Sequence, residues 1–124
     1  MKAYTDIEQS KKLAEILPLE SADMYWKNGV SNKYIQCFTP FVIDECGCNV
    51  DYDYDIPCWS LTALLDILPN SIYDNTDEYS QLEFSKISVA YHDINDEIKV
   101  GSIKDNLVDA CYEIIIKLNE LKML

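Results

Sequence analysis

The chain has no arginine, and from Tyr34 to Ser85 it has no lysine or histidine either. That window carries ten carboxylates: Asp44, Glu45, Asp51, Asp53, Asp55, Asp66, Asp74, Asp77, Glu78 and Glu83. They supply −10 of the formal −12 net charge. Nucleic acids and anionic membranes are bound through cationic contacts and counterion release. The ten basic residues here are all lysines, unclustered beyond Lys11-Lys12, so neither partner is expected to bind directly.

Further absences narrow the field. No run approaches the ~18 apolar residues of a transmembrane helix. Met1-Lys2-Ala3-Tyr4-Thr5-Asp6 leads into a charged amphipathic segment without the apolar core of a secretory signal, so a cytoplasmic location is expected. With three glycines there is no P-loop, dinucleotide fingerprint or nucleophile elbow. The one histidine, His92, sits beside Asp93 in a turn-like stretch and is expected at the surface, not as a general base. No cofactor is implied, and no constellation supports an enzyme.

What is present is globular: 48% hydrophobic and 11% aromatic residues in 124. One domain over residues 1–124 is expected. Thr5-Asp6-Ile7-Glu8 matches a capping box, and Leu13, Ala14 and Leu17 form an apolar stripe that Pro18 ends. Strand-like segments follow at Ala22–Lys27 and Lys33–Phe38, around Asn28-Gly29, and are read as a loose hairpin. A second helix is expected from Pro57 to Leu68, with Leu61, Leu64, Leu65 and Leu68 at amphipathic spacing. Residues 70–80 read as a loop. Leu82–Tyr91 alternates with a phase change near Ser85-Lys86, read as a bulge. Glu97–Val100 alternates again, and Gly101 is read as closing a hairpin. The last helix carries Leu107, Val108, Cys111, Ile114, Ile115, Leu118 and Leu121 on one face, with Ser102 as its cap. The order is αββαββα. It predicts an α+β domain, with an antiparallel sheet of about four strands covered on one face by helices.

Leu13-Ala14-Glu15-Ile16-Leu17-Pro18 and Leu64-Leu65-Asp66-Ile67-Leu68-Pro69 are near-identical hexamers. Either the chain contains a duplication, or both are amphipathic helices stopped by proline.

Two groups of residues bear on chemistry. Cys37, Cys46, Cys48 and Cys58 are candidate ligands for a tetrahedral zinc, but they lack the C-x2-C knuckles that pre-form half a site. Cys46-Cys48 also forms a candidate redox pair. The five cysteines as a set are expected to be reduced, and Cys111 to be core. Asp51-Tyr52-Asp53-Tyr54-Asp55 resembles the start of a calcium loop. It fails at Ile56, where glycine belongs, and at Thr62, where a bidentate glutamate belongs. An extended, solvated edge with aspartates on one side and tyrosines on the other is the expected form. Trp59 is assigned to the core.

A resemblance covers about half the chain. Thr5 to Pro18 with Ser21-Ala22-Asp23-Met24-Tyr25-Trp26, the Ile56-Pro57-Cys58-Trp59-Ser60-Leu61 block running into Leu64–Pro69, and Asn106–Glu113 resemble small uncharacterised proteins of gut Bacteroidetes genomes and their prophages or mobile elements. The resemblance implies an accessory or host-interaction role and carries no functional residues with it.

Together these features lead to an expected non-catalytic interaction protein that meets a basic protein partner. Asp51, Tyr52, Asp53, Tyr54, Asp55, Tyr73, Asp74, Asp77 and Glu78 are the expected contacts. A DNA mimic that occupies a nucleic-acid-binding protein is one version of this reading. A cysteine-dependent metal or redox protein is the alternative.

Overall fold

The computed structural model describes residues 2–27, 39–73, 79–93, 95 and 97–124. The chain divides into two compact units, Tyr4–Ala63 and Met1–Ala3 with Leu64–Leu124.

In the first unit, helix α1 spans Ile7–Ile16. Its capping box lies one residue later than the sequence suggested. Asp6 is the N-cap, accepting from the Gln9 amide at 2.8 Å, while Gln9 Oε1 accepts from the Asp6 amide at 3.1 Å. Aspartate and glutamine do here what threonine and glutamate were expected to do. Thr5 is released from capping and is fully buried.

Strand β1 (Met24–Trp26) is the centre of a three-stranded antiparallel sheet, flanked by β2 (Phe41–Val42) and β3 (Ile56–Cys58). The expected partner strand at residues 33–38 lies outside the described residues. Pro57, expected to open a helix, pairs with Tyr25 in β3. An edge strand accepts proline because its outward side needs no amide donor. Helix α2 is therefore shorter, Leu61–Ile67. The Ser60 hydroxyl accepts from the Ala63 amide at 3.2 Å at the start of α2 and donates to Asp23.

The second unit holds a four-stranded antiparallel sheet in sequential order: β4 (Ser71–Tyr73), β5 (Tyr79–Phe84), β6 (Ser88–His92) and β7 (Ile98–Ile103). Helix α3 (Leu107–Glu120) packs on β6 and β7. This is the α+β class and the helix-covered antiparallel sheet expected from the sequence. Val89, Tyr91 and Val100 face inward, with Val108, Cys111, Ile114, Ile115 and Leu118 of α3 buried. Each valine, isoleucine or leucine among them contributes about 1.5–3 kcal/mol when fully buried.

Several boundaries differ from expectation. The phase change near Ser85-Lys86 is a hairpin turn, not a bulge: the Ser85 amide donates to the Ser88 carbonyl at 2.8 Å. The register pairs Leu82 with Tyr91 and Phe84 with Val89. Even positions of β5 therefore share a face with odd positions of β6, and the alternation must invert across the turn. The 70–80 stretch contains β4. Gly101 lies inside β7, opposite Ala90, instead of closing a hairpin. Ser102 is a buried strand residue, and Asn106 caps α3, its side chain accepting from the Asp109 amide at 2.9 Å.

Candidate functional site

The segment between β2 and β3 is the most heavily charged stretch of described chain without a basic residue. It is held in shape by its own polar groups. The Asn49 amide group donates to the Val42 carbonyl at 3.1 Å, and its Oδ1 accepts from the Asp44 amide at 3.1 Å. The Gly47 amide donates to the Asp44 carbonyl at 3.0 Å, and the Cys48 amide to Asp44 Oδ1 at 2.9 Å. Asp44 thus folds the Cys46-Gly47-Cys48 tip around its own carboxylate. Gly47 has φ +67°, the left-handed region in which a side chain is strained.

A second turn follows directly. The Tyr54 and Asp55 amides both donate to the Asp51 carbonyl, at 3.1 and 2.7 Å. The Asp53 amide donates to Asp51 Oδ1 at 3.1 Å. The alternating acid–tyrosine run is therefore a single tight turn, not an extended edge. Local side-chain acceptors compete with the strand ladder, and here they win.

This changes the role of Asp55. Its side chain has 0% exposure and accepts from the Asp51 amide at 3.0 Å, with Lys27 Nζ 3.7 Å away. It is a structural residue and not an available contact. Asp51 and Asp53 are exposed, and so are Tyr52 and Tyr54, at 52% and 51%. Asp44 and Glu45 add two exposed carboxylates on the leading arm. None of Asp44, Glu45, Asp51 or Asp53 makes an ion pair with a described residue. Phe41 and Val42, in the strand that leads into the loop, are exposed apolar residues, and Phe41 stacks on Tyr25 with ring centroids 5.6 Å apart. Sequence reasoning did not single out Phe41, Val42, Asp44 and Glu45 as contacts. The available signal was an apolar pair between Pro40 and an acidic run, too short to contribute a buried strand.

The cysteines separate. Cys46 and Cys48 are exposed and joined by a disulfide, with Cα atoms 5.2 Å apart, which departs from the expectation of reduced thiols. One intervening glycine in the left-handed region brings them that close. Cys58 is buried, 3.6 Å from Thr5 Oγ1, and does not join them; burial raises its thiol above the ordinary value. Burial likewise pushes Cys111 up to about 12. Neither buried thiol is available as a thiolate near neutral pH. Cys37 lies outside the described residues, so the four expected zinc ligands are not seen together. Among the described residues, the group that does assemble is Asp44, Cys46 and Cys48, whose ligand atoms all lie within 4.8 Å of one another.

The remaining candidates lie in the other unit. Tyr73, on β4, is 65% exposed. Asp74, Asp77 and Glu78 lie outside the described residues. His92 is not in a turn: it belongs to β6, and its Nε2 is 3.0 Å from Glu83 Oε2 on the neighbouring strand. Asp93 makes the turn instead, accepting from the Asn95 and Glu97 amides at 2.8 and 2.9 Å. The Glu97 amide is the leading cause that holds its carboxyl below the usual range, with Asn95 and Lys99 adding to it. No helix is long and apolar enough to cross a membrane among the described residues.

Compared with known proteins, the chain matches no family model, no curated protein and no solved structure.

Proposed function

We propose that this is a small binding protein that docks a basic surface of a partner protein through the β2–β3 loop. The observation that carries this reading is the set of four exposed carboxylates, Asp44, Glu45, Asp51 and Asp53, which make no ion pair among the described residues and share one loop with half-exposed Tyr52 and Tyr54. Unpaired charge of one sign steers an oppositely charged partner and raises the association rate. Tyrosine supplies rigid, amphipathic contact area at the centre of many interfaces. The internal hydrogen bonds of the loop hold these groups in place before binding, which limits the ordering entropy lost on association.

The test is affinity capture from lysate, followed by reconstitution with the purified partner. Association of the pair is expected to weaken with salt. The Asp44→Asn/Glu45→Gln/Asp51→Asn/Asp53→Asn protein is expected to associate about tenfold or more slowly at low salt. A rate indifferent to both salt and these substitutions would refute the reading.

A further inference from the structure

The geometry points to a redox-gated metal site at the loop tip: in the dithiol form, Cys46, Cys48 and Asp44 bind one borderline-soft divalent cation such as zinc, and the disulfide form does not. This goes beyond the docking reading, shares only the Asp44 carboxylate with it, and is read out by metal binding without any partner.

Two thiolates and a carboxylate suit such a cation better than they suit calcium or magnesium, which prefer all-oxygen shells. Spacing supports the same ion. On a tetrahedral zinc, a sulfur at about 2.3 Å and an oxygen at about 2.0 Å stand about 3.5 Å apart. Already in the disulfide form, Cys46 Sγ and Asp44 Oδ1 stand 3.4 Å apart. The backbone turn that carries these side chains is held by bonds that involve neither sulfur. It is made by the Gly47 and Cys48 amides donating to Asp44 and by the positive φ of Gly47. The Cys48 amide bond to Asp44 Oδ1 also orients the carboxylate, as supporting hydrogen bonds do at metal sites. All three residues are exposed, so an ion reaches them without any opening of the fold, and a water can complete the tetrahedron.

The two states exclude each other chemically. Opening the disulfide needs two electrons and two protons, supplied by two molecules of a small thiol such as glutathione, which leave as its disulfide. Metal binding then displaces the two thiol protons, so affinity rises with pH. Reoxidation by a low-molecular-weight disulfide reforms the Cys46–Cys48 bond, yields two small thiols and releases the ion.

Cobalt(II) titration of the phosphine-reduced protein tests this through thiolate-to-cobalt absorption. One equivalent per chain is expected, with loss of the band when oxidised glutathione is added. Cys46→Ser/Cys48→Ser is expected to abolish the band. Asp44→Asn is expected to weaken binding by at least the roughly 10–100-fold that loss of a supporting group costs. Circular dichroism confirms that these surface variants stay folded. A band that survives in the double variant, or that never forms in the reduced wild type, overturns the proposal.

Discussion

Thr5 and Trp59 bond each other in both directions: the Thr5 amide donates to the Trp59 carbonyl at 2.9 Å, and the Trp59 amide donates to Thr5 Oγ1 at 3.2 Å. Both residues are fully buried. The Thr5 carbonyl also accepts from Trp26 Nε1 at 3.3 Å, so one residue ties the chain before α1 to β1 and to the segment after β3. Replacing Thr5 with valine keeps the shape and removes the hydroxyl acceptor. The buried Trp59 amide then lacks a partner, a loss of about 1–3 kcal/mol. Urea unfolding is expected to show a lower midpoint with unchanged slope.

Asp55 is the structural acid of the loop. Asp55→Ala removes the acceptor for the Asp51 amide and the partner of Lys27. Destabilisation of about 1–3 kcal/mol is expected. Hydrogen exchange is expected to quicken at the Tyr54 and Asp55 amides, which bond the Asp51 carbonyl. Asp53→Ala, which alters an exposed side chain, is expected to change stability by less than about 0.5 kcal/mol.

Among the described residues, two occupy the left-handed region, with opposite consequences. Gly47, at φ +67°, is suited to it; Lys122, at φ +58°, is not. Lys122 follows α3, where the Met123 amide donates to the Leu118 carbonyl at 2.9 Å and the Lys122 amide to Asn119 at 3.1 Å, the bonding of a Schellman end. Lys122→Gly is expected to stabilise by about 0.5–1 kcal/mol, and Gly47→Ala to destabilise by about 1 kcal/mol. Thermal midpoints of the two variants check both signs.

Acid should unfold the protein partly through Asp93 and Glu113. Hydrogen bonds from the Glu97 amide to Asp93, and from Lys104 and Lys117 to Glu113, hold both carboxyls below the usual range. A carboxylate depressed in the folded state stabilises fully above its unfolded value, about pH 4, and loses that stabilisation as pH falls through the folded value. The thermal midpoint is therefore expected to drop progressively below about pH 4. Asp93→Asn is expected to flatten that drop, because asparagine keeps an acceptor but does not titrate.

The sequence made the broad class legible because α3 and the alternating strands bury enough apolar side chains to impose their own periodicity. It misled where a local polar contact outranked the pattern. Pro57 reads as a helix opener until β1 offers it an edge position. Asp51 to Asp55 alternates like a strand, yet Asp55 turns back onto the Asp51 amide, a bond that alternation cannot reveal. Ser102 and Thr5 both look like caps. Each is buried instead, because Asn106 and Asp6 stand closer to the first helical turn. At the candidate site, Tyr52 and Tyr54 were readable as exposed aromatics among acids. The contribution of Asp44 was not, since it arises from a fold of the chain around one carboxylate.

The central claim is that the β2–β3 loop meets a partner. A photocrosslinking residue placed at Tyr52, at Tyr54, and at the exposed controls Lys11 and Glu120 tests it inside cells. The account predicts adducts from positions 52 and 54 to a protein with a basic surface, weakened when Asp44, Glu45, Asp51 and Asp53 are neutralised. Equal adducts from the control positions, or none from 52 and 54, would contradict it.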